Sequence, residues 1–480
     1  MKIRVPMFLN ISRLWVAACC GVVAAVATSA SDSKWLIAQA YDSGFEMNHD
    51  TWNGMGVASD GKVYYVLCSE SADRGAQMFS FDPATGQIRH LGDLTEACGE
   101  KGLKAIPQGK SHVTFVESDG KLYFATHLAY YNPGGGAAGA KEKKAAPPPG
   151  YRPYPGGHFL AYDMAHGTFE RLASAPHGEG ILAMAMDTRR GRLYGLTWPT
   201  GYFLRYDLAK REMRQLGPVA GQGEAGDGPT YSALCRAIVV DPDDGSAYLT
   251  TSAGDILRYR YDRDSLETVV GVDLRKDYFG IWDPTKPGHM GYNWRQAVWH
   301  PVEKVIYGVH GNSGYLFRFD PHAVRIDVLD RITSEPSKRS GMYDRFRYGY
   351  LGFTLGPDQR TLYYLTGGPV EPGEQSPSSQ STKEEPQENL HLVTYDIPTG
   401  RCVDHGAIFF ADGERPSNVQ SIAVSQDGTV YALARIPRSG RREPDLIRIA
   451  PVPLGAGSAA ASQLSSEDSW RDSAAVPRRR

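Results

Sequence analysis

The 480-residue sequence has little that would indicate a helical, nucleotide-binding or nucleic-acid-binding protein. Helical periodicity, in which apolar residues recur every three or four positions, is nearly absent. The formal net charge is −2 at pH 7, so the chain lacks the polycationic footprint of a nucleic-acid-binding protein. It also lacks a phosphate-binding glycine loop, a G-x-S-x-G elbow and a nucleophilic cysteine motif. These absences exclude the usual sequence signatures of nucleotide-dependent enzymes and serine or cysteine hydrolases.

Cysteine is scarce, and no pair of cysteines has the C-x-x-C spacing of a metal site. Four cysteines lie beyond the N-terminal region, at Cys68, Cys98, Cys235 and Cys402. An oxidising compartment permits a disulfide, and Cys68 with Cys98 is the pair nearest in sequence. The spacing favours isolated buried thiols.

One long apolar run is present, at the N-terminus. Basic residues precede the run from Leu14 to Ala27, and small residues follow it. This order is typical of a secretory signal peptide, so we predict that residues 1–30 are removed and that the protein is periplasmic or secreted. No transmembrane segment is expected after that removal. A single membrane anchor is disfavoured because the run is short, and lipid attachment at Cys19 is a further alternative.

A short tyrosine motif recurs seven times along the rest of the chain. Its copies read GKVYYV, GKLYFA, GRLYGL, GSAYLT, KVIYGV, RTLYYL and GTVYAL, with tyrosines at Tyr64, Tyr123, Tyr194, Tyr248, Tyr307, Tyr363 and Tyr431. An aromatic-Asp pair follows the first six copies, at Asp82, Asp163, Asp207, Asp262, Asp320 and Asp396. An aspartate at the end of a strand can bond its own backbone and begin a turn. Each unit is therefore predicted to contain four short strands.

The repeat predicts an all-β fold, a seven-bladed β-propeller of four-stranded antiparallel blades formed by residues 31–453. The seventh unit supplies only three clear strands, so we expect the segment around Trp35 to Ala40 to pair into the last blade and close it. Two smaller β-domains are the alternative. Segments 132–157 and 371–389, rich in small residues and proline, are predicted to be surface loops. Residues 454–480 are predicted to be a disordered tail.

The strand order predicts that imidazole, phenol and guanidinium groups gather on one face of the propeller. Residues that begin the first strand of a blade, end its second strand, fill the following loop or begin the third strand share this face. They are His112, His127, Tyr130, Tyr131, Tyr151, Tyr154, His158, Tyr231, Arg236, His289, Tyr292, Asn293, Arg295, His310, Asn312, Arg347, Tyr348, Tyr350, Asn418, Gln420 and Arg435. The turns of the opposite face, such as SDG and DPDDG, contain little beyond solvated turn residues.

Two of these histidines are predicted to lie directly opposite each other in one hairpin. If Asp119-Gly120 is a two-residue turn, Ser118 pairs with Lys121, and the same register pairs His112 with His127. Two imidazolium charges about 5 Å apart repel by roughly 3 kcal/mol at an effective dielectric near 20. At least one ring should then stay neutral near pH 7 and could act as a base. A surface histidine pair without chemistry is the alternative.

Four motifs resemble a known family. K-S-H at 110–112, L-Y-F-A-T-H at 122–127, Y-P-G-G-H at 154–158 and G-Y-L-F-R-F-D-P at 314–321 resemble segments of the seven-bladed propeller polysaccharide lyases. The most similar group is the ulvan lyases and related rhamnose–glucuronate-cleaving enzymes, and oligogalacturonate lyase is more distant. The pattern covers most of residues 48–453, and its motifs are moderately specific.

The resemblance implies cleavage of uronate-containing polysaccharides by β-elimination, with an acidic polysaccharide or oligosaccharide as the partner. The family's histidine pair carries over to His112 and His127. Its essential tyrosine and arginine do not align cleanly, because the third unit has neither residue type at the face. We therefore predict that Tyr231 and Arg236 take these two catalytic roles. Tyr292 and Arg295 are the alternative pair. The predicted substrate-binding residues are His158, Tyr154, Tyr292, Asn293, Arg295 and His310.

Three functions therefore stay open. The first is a lyase, the second a non-catalytic propeller that binds glycan or protein, and the third a metal-dependent hydrolase or lactonase. Some lyases of this family bind a metal through histidines, and His112, His127, His158 and His310 could supply ligands to a divalent ion. The face is richer in His, Tyr and Arg than in Glu, Asp and Asn, which favours the lyase.

Overall fold

The structure is a computed structural model that describes residues 35–129, 147–276, 283, 285, 290–310, 313–340, 352–369, 388–419, 421–438 and 441–454. The predicted signal peptide and the predicted tail after Leu454 lie outside these residues. So do 132–146 and 371–387, the greater part of the two predicted loops. None of the helices in the described ranges is long and apolar enough to cross a membrane.

Consecutive antiparallel strands build five four-stranded sheets in the described chain. The first contains β2 (Met55–Val57), β3 (Val63–Leu67), β4 (Gln77–Asp82) and β5 (Gln87–Asp93), and the second β6 (Val116–Ser118), β7 (Lys121–Ala125), β8 (His158–Asp163) and β9 (Thr168–Ser174). The third contains β10 (Gly180–Asp187), β11 (Arg192–Trp198), β12 (Tyr202–Asp207) and β13 (Glu212–Pro218). The fourth contains β14 (Val239–Val240), β15 (Ala247–Thr250), β16 (Asp255–Arg260) and β17 (Ser265–Asp273), and the fifth β18 (Trp294–His300), β19 (Val305–His310), β20 (Tyr315–Asp320) and β21 (Arg325–Arg331).

The remaining described strands form one eight-stranded sheet, which consists of two runs of four. One run is β22 (Phe353–Leu355), β23 (Thr361–Pro369), β24 (Glu388–Asp396) and β25 (Arg401–Phe410). The other is β26 (Ala423–Val424), β27 (Val430–Arg438), β28 (Arg441–Ile449) and the N-terminal strand β1 (Trp35–Ala40). Helices are short: α1 (Leu94–Ala97), α2 (Glu335–Ser340) and 3-10 turns at Pro176–Gly178, Gly223–Ala225 and Gly228–Thr230.

The predicted pairing of the N-terminal strand is confirmed. Antiparallel partners join β1 to β28, with Ala38 opposite Ile449. The other edge of β1 pairs in parallel with β25, with Trp35 opposite Ala407, which the sequence did not predict. Both edges of β1 are therefore hydrogen-bonded, so this strand presents no open edge for association with other chains.

The repeated residues occupy equivalent places in the sheets. All seven motif tyrosines are buried, and each lies in the second strand of its run of four. The motif aspartate ends the third strand in five of the six cases, and it accepts turn amides as predicted: Asp163 accepts those of Ala165 and His166. Asp262 is the exception, because it lies after β16 and pairs with Arg260.

Apolar side chains pack each sheet against its neighbours. One core joins the first three sheets, and a second joins the third, fourth and fifth. A third core joins the fifth sheet to the eight-stranded sheet, and a fourth contains Tyr65 of the first sheet with Tyr431 of the last run. The last run thus packs on the first sheet, and the described chain is a propeller-like all-β fold.

The four cysteines of the described chain are free thiols, which confirms the prediction of isolated cysteines. Cys68, Cys98 and Cys235 are buried, and Cys402 is half-buried. Burial raises the pKa of Cys68 to about 11 and that of Cys402 to about 12. Both are therefore protonated and unreactive near pH 7.

Candidate functional site

The hairpin that carries the histidine pair has the predicted register at its tip. Ser118 is opposite Lys121, and Val116 is opposite Tyr123. Asp119 and Gly120 connect the strands with φ values of 51° and 73°. Two left-handed residues in succession are what a tight two-residue hairpin turn requires.

The register changes before it reaches the histidines, so the prediction that they are direct backbone partners is wrong. His127 bridges to Lys110, with bonds of 3.0 Å from the Lys110 amide and 2.7 Å from the His127 amide. The residues between Lys110 and β6 leave the ladder, and the Phe115 amide bonds instead to the Met55 carbonyl of the first sheet. The rings of His112 and His127 nevertheless meet edge to face, with centroids 4.8 Å apart.

Two tryptophans extend this ring contact on either side. The Trp52 ring lies 5.0 Å from that of His112, and the Trp198 ring lies 5.5 Å from that of His127. The four rings form a row that passes from the segment before β2, through the histidine hairpin, to the end of β11. Trp52 is half-buried, whereas Trp198 and both histidines are buried.

Burial and nearby cations keep both imidazoles uncharged. Burial and a Coulomb contribution from Lys110 are the main causes that lower the pKa of His127 to about 3. The pKa of His112 lies well below its usual value because of burial, His127, Lys110, Arg236 and Arg295, in that order. Uncharged imidazoles retain the nitrogen lone pair that a general base uses.

Three cations thus lie within electrostatic reach of the pair: Lys110, Arg236 and Arg295. Lys110 and Arg295 are buried, and the Arg236 side chain is 16% exposed. The Lys110 ammonium is 2.8 Å from Glu70 and lies over the Trp52 ring at 5.3 Å from its centroid. A cluster of fixed positive charge around uncharged bases is suited to an anionic ligand.

Glu224 links one of these cations to the ring row. One of its carboxylate oxygens is 2.8 Å from the Arg236 guanidinium and accepts the Leu234 amide at 2.9 Å. The other oxygen accepts the Trp198 indole N–H at 2.8 Å. A single carboxylate therefore orients both the ring against His127 and the cation that faces both histidines.

Two further contacts hold the histidines in place. A Cβ atom at Gly180 would lie 2.6 Å from Cδ2 of His127, so only glycine permits this close approach. The Asn53 amide donates to the His112 carbonyl at 3.2 Å, and Gln296 of the fifth sheet donates to Asn53 at 2.7 Å. Asn53 and Gln296 thereby join the first and fifth sheets beside the site.

Two predicted substrate-binding residues belong to a separate buried network. The His158 ring bonds to Glu100 at 2.6 Å and to the Ser174 hydroxyl at 2.9 Å, which occupies both ring nitrogens. The Tyr154 hydroxyl donates to Gln108 at 2.6 Å, and Gln108 donates to Glu100 at 2.9 Å. His158 and Tyr154 are buried, and their polar groups serve the interior of the second sheet rather than the ring row.

Two more predicted residues have interior partners in the fifth sheet. The Asn293 amide donates to the carbonyls of Ala233 and Met290, and its oxygen accepts the Thr250 hydroxyl at 2.9 Å. His310 is fully buried with a ring nitrogen 2.7 Å from the Ser313 hydroxyl, and burial lowers its pKa to about 3. Arg295, by contrast, is close enough to His112 for its charge to help lower the pKa of that ring.

The two candidate tyrosines are half-buried. The Tyr231 amide caps the 3-10 turn Gly228–Thr230, and the Tyr292 amide donates to Ser252 at 2.9 Å. Their roles as proton donors stay predictions. Several residues predicted for this face lie outside the described chain: Tyr130, Tyr131, His289, Asn312, Arg347, Tyr348, Tyr350 and Gln420.

The other two residues predicted for the face at the last sheet bind a buried carboxylate. Arg435 forms a bidentate ion pair with Asp50, and the Asn418 amide donates to Asp50 at 3.0 Å. Among the residues that the structure describes, no three His, Cys, Asp or Glu side chains are grouped closely enough to hold a metal ion. His158 and His310 do not join His112 and His127 as a common ligand set there.

Sequence reasoning overlooked Trp52, Glu70, Trp198 and Glu224, and it quoted Lys110 only as part of a motif. Glu70 and Glu224 carry no sequence signal, because Glu70 follows β3 outside any strand and Glu224 lies in the 3-10 turn Gly223–Ala225 between sheets. A search for aromatic residues at the ends of inner strands could have found both tryptophans.

No protein-family model matches the chain, and no curated protein sequence matches it. Similar solved structures include a 6-phosphogluconolactonase-like protein from Bacteroides uniformis, at 13% identity and a TM-score of 0.41, covering 73% of this chain and 82% of that one. The extracellular domain of a hybrid two-component system from B. thetaiotaomicron is 12% identical, with a TM-score of 0.46 and coverage of 86% and 40%. A chain of the mitotic checkpoint complex is 11% identical, with a TM-score of 0.48 and coverage of 94% and 100%. Similarities this distant assign no activity to the chain.

Proposed function

We propose that the protein is an exported, carbohydrate-active polysaccharide lyase that cleaves uronate-containing glycans by β-elimination. The observation that carries this proposal is the contact between His112 and His127, two uncharged imidazoles surrounded by Lys110, Arg236 and Arg295. Cations and a neutral base side by side are what a β-elimination at an acidic sugar requires.

The residues divide the chemistry as follows. Arg236, Arg295 and Lys110 offset the charge of the uronate carboxylate and so acidify the proton at C5. His127 or His112 accepts that proton, and the released electron pair forms the C4–C5 double bond as the C4–O4 bond breaks. An acid returns a proton to O4, and Tyr231 or Tyr292 is the candidate donor. The products are a new chain end and an unsaturated uronate.

Substrate binding would also strengthen the base. The same cations that favour a carboxylate lower the pKa of both imidazoles. A bound carboxylate offsets their field, so the pKa of the nearby imidazole rises and its affinity for the C5 proton increases. Proton abstraction would thus be favoured only when an acidic sugar occupies the site.

The finer architecture belongs to the same proposal. Seven blades are supported by seven tyrosine strands, each in a run of four, with β1 completing the last run. Export to the periplasm or the medium is supported by residues 1–30, in which basic residues are followed by an apolar run and then by small residues.

The test is a panel of uronate polysaccharides, followed by the ultraviolet absorbance of unsaturated uronate. Product formation that is lost in His112→Ala and His127→Ala, with unchanged melting temperatures, supports the lyase. Binding without product, insensitive to either substitution, contradicts it and indicates a binding propeller. Product without a double bond contradicts it and indicates a hydrolase.

A further inference from the structure

We propose that Lys110 is a positioning residue of this site, whose buried ammonium group supplies fixed positive charge that, together with the burial of the rings, keeps the His112–His127 pair uncharged. The inference deepens the proposed function, and its catalytic consequence rests on that function. Its electrostatic part concerns the histidines alone and can be tested without a substrate.

The geometry of Lys110 fits this role closely. Its side chain is 2% exposed, and its ammonium is fixed between Glu70 and the face of Trp52. Its backbone makes both bridge bonds with His127, and it lies two positions before His112. Because main chain and side chain are both held, the distance from this charge to the two rings cannot vary freely.

The charged groups around the pair come from several elements. Lys110 precedes the hairpin, Arg236 precedes β14 and Arg295 lies in β18. Two carboxylates accompany them: Glu70 beside Lys110, and Glu224 beside Arg236. His49 is 3.5 Å from Glu70. Burial and Lys110 lower the pKa of His49, and Glu70 and Asp50 partly offset this by raising it.

Among these cations Lys110 has the largest effect on the pair. Of the charged groups that lower the pKa of His127, Lys110 contributes most. It also lowers the pKa of His112 more than Arg236 or Arg295 does. A unit charge about 6 Å from an imidazole changes its pKa by about 2 units at an effective dielectric near 20. Removal of the Lys110 charge should therefore raise the pKa of both rings.

The experiment follows the ring nitrogens of the full chain by NMR after histidine labelling with nitrogen-15. His112→Gln and His127→Gln assign the signals, and spectra are recorded from pH 7.5 to the lowest pH at which circular dichroism shows the native fold. Lys110→Met is the principal variant, Lys110→Arg retains the charge, and Glu70→Gln removes the neighbouring carboxylate. Lys110→Gln replaces the methionine variant if that one does not fold.

We expect the wild type, Lys110→Arg and Glu70→Gln to keep both rings uncharged down to about pH 4.5, whereas Lys110→Met begins to protonate about one to two pH units earlier. The acid limb of kcat/KM should move upward by the same amount. Equal ring protonation in wild type and Lys110→Met, or an equal shift in Lys110→Arg, would overturn the inference. A wild type that forms no unsaturated product refutes the proposed function alone, because the ring titration still decides the role of Lys110.

Discussion

His112 and His127 meet edge to face at 4.8 Å, yet the backbone bridge of His127 belongs to Lys110. The departure of residues 111–115 from the ladder therefore has a chemical result. The sheet register brings a cation next to one imidazole, and the irregular segment returns the second imidazole to the same place. A regular hairpin would have paired the histidines directly and placed Lys110, on the same face, opposite Ala129 instead of His127.

Gly180→Ala tests the close approach to His127. The added Cβ atom would lie 2.6 Å from the ring, so we expect the ring to move, product formation to fall at least tenfold and stability to fall by about 1–3 kcal/mol. Gly356→Ala is the matched control, because its Cβ atom would meet the Tyr363 ring at 2.7 Å, in the turn that follows β22. Equal activity in both variants would show that the close approach of Gly180 to the His127 ring is not needed for product formation.

Stability should decrease in mild acid because of the buried histidines. Burial holds the pKa of His127 and His310 at about 3, whereas both titrate near 6.5 when unfolded. Between these values the unfolded chain binds more protons, so the free energy of unfolding falls as the pH falls. Each such histidine contributes a slope of about 1.4 kcal/mol per pH unit.

Urea unfolding at pH 7, 6 and 5 measures this slope. His127→Gln should reduce it by the contribution of one histidine. Acidic groups whose pKa is low, such as Asp396 at about 2, act below this range. An identical slope in wild type and His127→Gln would contradict the expectation.

Glu224→Ala should destabilise the fold and disorder the site together. It removes the acceptor of the Trp198 indole, the Leu234 amide and the Arg236 guanidinium. Loss of a buried charged acceptor costs about 2–4 kcal/mol, measured by urea unfolding. Glu212→Ala is the control, since that carboxylate is 56% exposed and should contribute less than about 0.5 kcal/mol.

His158→Phe distinguishes an interior role from substrate binding. The variant leaves Glu100 buried without its 2.6 Å partner, so a loss of about 3–5 kcal/mol is expected. KM for a cleaved glycan should stay within about twofold where the variant is folded. A tenfold rise in KM with little change in stability would contradict the interior role and show that His158 binds substrate.

Removal of the N-terminal strand should lower the melting temperature sharply. A chain that begins at Tyr41 lacks β1 and exposes the edges of β25 and β28 at once. The comparison is with a chain that begins at Lys34, measured by thermal unfolding. Equal melting temperatures would show that β1 contributes little to the fold.

Periodicity was sufficient to predict the sheets. The tyrosine repeat marks the second strand of each run because every run buries that position. The aspartate repeat marks the end of the third strand in five runs, where a carboxylate can start the following turn. The role of the Trp35–Ala40 segment followed from a missing strand. The parallel pairing of this segment with β25 could not be predicted in the same way. Which strand lies beside its other edge depends on how the sheets assemble, and no local sequence pattern records that.

The site was predicted less completely for a related reason. His112, His127, Arg236 and Arg295 were found because their residue types suit the chemistry, and the structure brings them together. His158 and Asn293 have equally suitable types, yet they bond to interior partners. Strand order places a residue at one end of a sheet, but side-chain direction and register irregularities decide which neighbours it meets.

The Ser43 amide bonds to Asp445, 402 residues further along the chain, beside the pairing of β1 with β28. During synthesis at about 5–20 residues per second, β1 would leave the ribosome roughly 20–80 seconds before its partner exists. For that interval an apolar strand must stay unpaired. A chaperone that binds nascent chains could occupy this segment during that interval, and the last sheet could form only after the final strand is made.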